Sequence, residues 1–203
     1  MYRKLFTVIL VLSVMNVNAQ KKEGLQTKAT QIPQQPKIDY TQIGAPMPDM
    51  ILVTMDTFYK TVKKDGNWWT RLRHKNETVI KTNTFSNEDF NNGANLFVMM
   101  FNPTCSHCIE ETEIMKRNMN LFNKSKVILM ANKQMKAYLP DFVKQQNTKK
   151  FPVFTVGLDS LNFVNSAFLY RSLPQINIYN KERKLIKIYN GDVAIDSLKP
   201  FIQ

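Results

Sequence analysis

The stretch from Leu96 to Cys108 reads LFVMMFNPTCSHC and decides the fold. Its first six residues form a continuous apolar run, which is typical of a strand buried on both faces of a sheet. Polar residues and a proline end that run, and residues 106–123 have helical composition. The sequence therefore predicts a buried strand that leads through a short loop into a helix. The only two cysteines of the chain, Cys105 and Cys108, lie at the start of that helix.

Strand and helix patterns alternate after this stretch. The further predicted strands are 127–131, 154–157, 175–179 and 185–189. The further predicted helices are 135–146, 161–170 and 193–202. Before the stretch, a strand begins at 51–53, and Asp65-Gly66 between the β-prone segments 58–62 and 68–72 predicts a hairpin. Residues 78–80 add a further short strand. This order predicts an α/β fold: a mixed central sheet with helices on both faces and an N-terminal β extension.

The N-terminus has the pattern of a secretory signal peptide. Arg3 and Lys4 precede a short apolar run, and Ala19 occupies the cleavage position, so we expect residues 1–19 to be removed. The apolar run is too short for a membrane span, and stable membrane insertion is not expected after cleavage. Residues 20–42, rich in Gln, Lys and Pro, are predicted to be a flexible tether to a single domain, 43–203.

Length and charge limit the function classes further. The chain has 203 residues, 43% of them hydrophobic, which suffices for one sizeable core. A net charge of +12 brings nucleic acid and anionic surfaces into consideration. Export removes intracellular nucleic acid from the expected partners. It also places both thiols in a periplasmic or other exported compartment, where disulfides persist.

The cysteine pair has the spacing of a cycling dithiol. The unpaired N–H groups and the positive dipole end of a helix stabilise a thiolate at Cys105. Ser106 and His107 lie between the cysteines and are expected to modulate the couple, His107 through its positive charge when it is protonated. Cys108 lies one helical turn further on, within disulfide reach, and would resolve a mixed disulfide.

Other interpretations of the pair stay open. A purely structural disulfide is possible, although a four-residue loop stabilises a fold little in the chain-entropy model. Haem attachment requires a histidine directly after the second cysteine, where this chain has Ile109. Zinc or copper binding by Cys105, Cys108 and His107 would need a further ligand, and the only other histidine of the chain is His74.

The segment around the cysteines resembles the thioredoxin-fold family, specifically exported thiol–disulfide oxidoreductases of the TlpA/ResA type. NPTCSHC (102–108) occupies the place of the family's W-C-x-x-C segment, and IGAPMPD (43–49) is similar to its N-terminal G-x-x-A-P-D/E-F motif. Ser172-Leu173-Pro174-Gln175 falls where these proteins carry a cis-proline that faces the cysteines. The resemblance covers about residues 43–202. It implies a three-layer thioredoxin-like fold in which the Leu173 backbone and Pro174 bind a substrate strand.

The chain departs from the family pattern near the cysteines. Thr104 replaces the family's tryptophan, and Met99 stands where thioredoxin proper has a buried acid. Glu111, three residues after Cys108, is where TlpA-like proteins often have a carboxylate. Residues i and i+3 share a helix face, so Glu111 is a candidate for moving the proton of the resolving thiol.

The resemblance implies an enzyme that exchanges disulfides with protein thiols and needs neither a dissociable cofactor nor a metal. Its implied partners are a membrane-bound redox protein and exported client proteins. Two alternatives from other classes are a peroxiredoxin-like peroxidase and a thioredoxin-fold copper chaperone. The peroxiredoxin pattern P-x-x-x-T-x-x-C is absent around both cysteines. Copper chaperones of this fold usually space their cysteines as CxxxC, so that match is also poor.

Overall fold

Seven β-strands of the described residues form one sheet. The computed structural model describes residues 38–61, 76–122 and 124–203. The predicted signal peptide, most of the predicted tether and the predicted strand 68–72 lie outside this part. The strands are β1 (Ile51–Thr61), β2 (Asn76–Ser86), β3 (Leu96–Phe101), β4 (Lys126–Asn132), β5 (Phe154–Asp159), β6 (Gln175–Tyr179) and β7 (Leu185–Asn190).

The strand order is β2-β1-β5-β4-β3-β6-β7. The three central strands β3, β4 and β5 run parallel to one another, and every other neighbouring pair is antiparallel. The predicted mixed sheet is therefore confirmed. The β1–β2 hairpin forms the N-terminal extension at one edge, and the β6–β7 hairpin forms the other edge.

Helices cover both faces of the sheet. The α-helices are α1 (Ser106–Arg117), α2 (Leu139–Gln146), α3 (Phe163–Ala167) and α4 (Ile195–Leu198). Short 3₁₀ turns are Glu88–Phe90, Met119–Leu121, Lys133–Ala137, Thr148–Lys150 and Lys199–Phe201. Met99 of β3 packs in the cluster that contains Met115 of α1, whereas Met100 packs in the opposite cluster with Phe163 of α3. All six residues of β3 are buried, as the apolar run predicts.

The helices are shorter than the sequence predicts because polar side chains satisfy their end groups early. α1 ends at Arg117 instead of residue 123, and the Asn118 side chain donates to the Ile114 carbonyl (2.8 Å). The predicted helix 161–170 shrinks to α3. The side-chain amides of Gln175 and Asn177 on β6 both donate to the Ala167 carbonyl, where α3 ends. Such side-chain bonds compete with continuation of the helix.

The two remaining helices also differ from their predicted bounds. The predicted helix 135–146 is a 3₁₀ turn, Lys133–Ala137, followed by α2, which has Pro140 in its first turn. Proline fits there because the first N–H groups of a helix have no intrahelical partner. The predicted helix 193–202 is α4 followed by the 3₁₀ turn Lys199–Phe201, again with a proline at its start.

The N-terminal hairpin pairs β1 with β2. Phe58 pairs with Val79 and Thr61 pairs with Asn76. At the base of the hairpin, Leu52 is fully buried opposite Phe85, and β1 also pairs with β5. Packing against the core therefore fixes the register at this end. The predicted turn at Asp65-Gly66 and the predicted strand 68–72 lie outside the described residues.

Gly157 of β5 permits the close approach of β1. A Cβ atom there would lie 2.7 Å from Leu52 Cγ and 2.9 Å from the Val53 carbonyl oxygen. Backbone atoms cannot move aside without disturbing the β1–β5 pairing, so overpacking at this point costs stability.

We predict that Gly157→Ala lowers the free energy of unfolding by about 1–3 kcal/mol. Urea denaturation followed by circular dichroism measures this loss. Ser160→Ala, at an exposed position just after β5, is the control and should leave stability within about 0.5 kcal/mol of wild type. Equal midpoints for Gly157→Ala and wild type would contradict the close packing of β1 on β5.

Candidate active site

The loop between β3 and α1 is held in a defined turn by Asn102. Its side-chain oxygen accepts hydrogen bonds from the backbone N–H and the hydroxyl of Thr104, both at 2.9 Å. Its carbonyl accepts from the Cys105 N–H at 3.0 Å. Cys105 thereby becomes the N-cap residue of α1, and its own carbonyl accepts the first bond of the helix from Ile109. Both cysteines lie at the positive end of α1, as the sequence predicts.

The two cysteines have different environments. Both are free thiols, and they approach each other to 3.1 Å. Cys105 is partly exposed, whereas Cys108 is completely buried. Burial raises the pKa of the Cys108 thiol to about 12, opposed by a hydrogen bond from the Asn102 backbone and reinforced by Cys105 and by the charge of Asp192. Cys105 is therefore the thiol that solvent reaches, and Cys108 stays protonated at neutral pH.

Glu111 lies on the buried face of α1, one turn after Cys108. Its side chain is 1% exposed, and Oε2 accepts a hydrogen bond from the Val193 N–H at 3.1 Å. Oε1 is buried and has no hydrogen-bond partner among the described residues. Burial raises the pKa of Glu111 to about 7, partly offset by the Val193 bond and increased by the charges of Asp192 and Glu110. A carboxyl group with this pKa can accept and return a proton near neutral pH.

The residues between the cysteines face outward. Ser106 is exposed on the first turn of α1. The Nδ1 atom of His107 lies 3.0–3.1 Å from both carboxylate oxygens of Asp192, and both side chains are about 60% exposed. His107, which the sequence analysis expects to be positive when it is protonated, therefore has a carboxylate partner. The sequence does not reveal this partner.

The predicted substrate-binding loop lies beside the same site. The Leu173–Pro174 peptide bond is cis. Pro174 is buried, and its carbonyl accepts a hydrogen bond from the Gly191 N–H at 2.8 Å. Leu173 is half-buried, and both it and Cys105 pack against the core cluster that contains Cys108. Leu173 also lines a largely apolar cavity of about 190 Å³ together with Asn102 of the cysteine loop.

Buried polar groups fix this loop to the sheet. Gln175, which follows the cis-proline, accepts from the Leu169 N–H and donates to both the Ala167 carbonyl and the Asn177 side chain. Gln175 and Asn177 are completely buried. Each such satisfied bond contributes about 1 kcal/mol, and leaving one partner unsatisfied would cost more. The loop that precedes β6 is therefore held at both of its ends.

The sequence analysis missed three residues that shape the site: Asn102, Asp192 and Val193. Asn102 could be recognised as a turn former from its place before Pro103, since Asn commonly bonds the backbone two residues on. Asp192 is 85 residues from His107 in sequence, and Val193 is 82 residues from Glu111. Their only local signal is Gly191, which has φ +76° and marks a turn after β7. Within residues 38–61, 76–122 and 124–203, no group of three His, Cys, Asp or Glu side chains could hold a metal ion. No described helix is long and apolar enough to cross a membrane.

The raised pKa of Glu111 predicts a pH dependence of stability. The pKa of Glu111 is higher in the folded protein, about 7, than in the unfolded chain, 4.5. Its contribution to the free energy of unfolding is therefore fully present below pH 4.5 and is lost as the pH rises through 7. A change from 4.5 to about 7 corresponds to about 3 kcal/mol. Between pH 4.5 and pH 8.5, reduced wild type should therefore lose up to about 3 kcal/mol relative to Glu111→Gln.

Urea denaturation of both reduced proteins across this pH range measures the difference. Glu110→Gln, which removes an exposed carboxylate from the neighbouring position, is the matched control, and its difference from wild type should change little with pH. A constant difference between Glu111→Gln and wild type would show that Glu111 ionises normally.

Comparison with solved structures shows the fold. The sequence matches no protein-family model and no curated protein. The thioredoxin domain of a thiol-disulfide oxidoreductase from Bacteroides vulgatus superposes with a TM-score of 0.52 at 14% identity, covering 78% of this chain and 94% of that one. A thiol:disulfide interchange protein from Bacteroides sp. gives 0.53 at 15% identity, covering 80% and 91%. These similarities confirm the predicted thioredoxin-like fold, with its mixed sheet between two helical layers.

Proposed function

We propose that this chain is an exported thiol–disulfide oxidoreductase that exchanges disulfides with protein partners through Cys105 and Cys108. One observation carries the proposal: two thiols lie 3.1 Å apart at a helix N-terminus. Cys105 is partly exposed, whereas Cys108 is buried and lies one turn before the buried Glu111. Two structural neighbours, a thiol-disulfide oxidoreductase and a thiol:disulfide interchange protein, support the same activity. Export rests on the signal-peptide pattern of residues 1–19.

The first half of the reaction takes place at Cys105. Its thiolate attacks one sulfur of a disulfide in the partner, so that a Cys105–partner disulfide forms and the partner's S–S bond breaks. The second partner sulfur leaves as a thiolate and takes a proton from solvent. The N–H groups of the first turn of α1 stabilise the attacking thiolate. The partial exposure of Cys105 gives the partner access to it.

The second half takes place at Cys108. Glu111 accepts the Cys108 proton, and the resulting thiolate attacks Cys105 Sγ. The Cys105–Cys108 disulfide forms and the Cys105–partner disulfide breaks. The released partner sulfur takes the proton that Glu111 holds, so the partner has gained two electrons and two protons in all. Without a base beside it, a thiol with a pKa of about 12 would supply almost no thiolate at neutral pH. The same steps in reverse oxidise a partner dithiol.

The substrates we propose are protein thiols and disulfides. The segment that carries the reacting disulfide lies against the Leu173 backbone and Pro174, and a side chain of that segment enters the apolar cavity that Leu173 and Asn102 line. A membrane-bound redox protein on one side and exported client proteins on the other would exchange electrons with the dithiol. The chain carries these electrons on its own sulfur atoms and needs no dissociable cofactor.

Mixed-disulfide trapping tests the roles of the two cysteines. Cys108→Ala should accumulate a covalent complex with a disulfide-containing polypeptide, because the bond to Cys105 cannot be cleared internally. Cys105→Ala should accumulate little, since its remaining thiol is buried and protonated. Non-reducing gels, with mass mapping of the linked cysteine, measure both. Equal trapping by the two variants, or trapping by neither, would refute a cycling dithiol.

The role of Glu111 predicts a pH profile for the resolving step. Release of a chromophoric thiol from a preformed mixed disulfide at Cys105 should rise with pH in wild type, with a midpoint near 7. Glu111→Gln should slow release at pH 8 by about 100-fold and abolish that midpoint, because the general base is lost. Glu110→Gln should keep both the rate and the midpoint. An unchanged rate in Glu111→Gln would assign proton transfer to water instead.

A further inference from the structure

Three consecutive residues after β7 contact three different parts of the site. The Gly191 N–H donates to the Pro174 carbonyl at 2.8 Å, and the Val193 N–H donates to Glu111 Oε2 at 3.1 Å. Between them, the Asp192 carboxylate lies 3.0 Å from His107 Nδ1. Because both neighbours of Asp192 are bonded to the site, its backbone is fixed relative to α1. The 191–193 segment therefore gives the Asp192 charge a defined place beside the dithiol.

The charge of Asp192 acts on the two buried groups of α1. It raises the pKa of both Cys108 and Glu111, although burial is the larger cause in each case. The other ionisable groups that raise these two pKa values are Glu110, which acts on Glu111, and Cys105, which acts on Cys108. Both belong to α1 or its N-cap. Of the charges that act on these two groups within the described residues, that of Asp192 comes from outside α1 and its N-cap, and the reaction above does not use it.

We propose that Asp192 is a positioning residue that sets the charge balance of the dithiol site: it binds the His107 ring and places a negative charge beside Cys108 and Glu111. This inference rests on the function proposed above. Reduction of the disulfide creates a thiolate at Cys105, which the first turn of α1 stabilises, whereas Cys108, 3.1 Å away, keeps its proton. A fixed negative charge nearby disfavours that reduced form, so Asp192 makes the pair more reducing.

The first test is the equilibrium of the Cys105–Cys108 pair with glutathione at pH 8. Asp192→Asn keeps an oxygen that can accept from His107 but removes the charge. We expect its reduced form to be favoured three- to tenfold over wild type, which is about 14–30 mV toward more positive potential. Asp192→Glu keeps the charge and should stay near wild type. Asp196→Asn removes a carboxylate four residues on that pairs with Lys199, and should also stay near wild type.

The same comparison in a His107→Gln background separates the effect of the Asp192 charge from an effect transmitted through His107. The potential shift caused by Asp192→Asn should persist there. Glutamine is uncharged, so a change in the charge of residue 107 cannot account for that shift. A shift that disappears in this background, an unchanged potential, or a change toward more negative potential would each overturn the proposal. If Asp192→Asn fails to fold, Asp192→Ser removes the same charge and is measured instead.

A second readout does not depend on redox activity. Removal of the Asp192 charge should lower the pKa of Glu111, so the pH at which reduced protein loses stability relative to its Glu111→Gln counterpart should fall. A purely structural contact would lower stability without moving this midpoint. If the chain does not equilibrate with glutathione, the proposed function fails. The stability midpoint still decides whether Asp192 acts on Glu111, and an unmoved midpoint refutes the proposal.

Discussion

Burial of one face of α1 against the sheet is the constraint on which the site depends. β3 is buried along its whole length, and α1 follows it after a loop of four residues, so the first turns of the helix lie directly on the core. Residues i and i+3 share a helix face. Covering Cys108 therefore also covers Glu111, and the asymmetry between the two cysteines is a consequence of the packing.

Burying a carboxyl group lowers the stability of a protein unless hydrogen-bond partners satisfy its oxygens. Among the described residues, Glu111 has one hydrogen-bond partner, the Val193 N–H, and its other carboxyl oxygen has none. An apolar side chain would pack there without an unsatisfied polar atom, so packing alone does not account for a glutamate. The proposed proton transfer to and from the neighbouring thiol gives a physical reason for this cost, since burial is what brings the pKa of a carboxyl group close to 7.

Local patterns in the sequence were sufficient for the central strands and the cysteine turn. A run such as 96–101 has few alternatives to a buried strand, and the Cys105–Cys108 spacing defines its own geometry on a helix. The helix ends were mispredicted, and the register of the β1–β2 pair could not be predicted, because both depend on distant partners. Leu52 meets Phe85 and β5 at the base of the hairpin, and Gln175 reaches the end of α3. No periodicity within a single segment encodes such contacts.

The same limit applies to the charges of the site. His107 lies next to Cys108 in sequence, so its charge, when the ring is protonated, was expected to stabilise the thiolate of Cys105. The fold places the Asp192 carboxylate against His107 from a turn that follows β7, so a protonated ring there has a negative partner. Both side chains are mostly exposed, so solvent weakens their mutual attraction. The Asp192 charge also raises the pKa of Cys108 and of Glu111, although burial is the larger cause in each case. The electrostatics of a CxxC helix thus depend on the turn packed against it as well as on the residues between its cysteines.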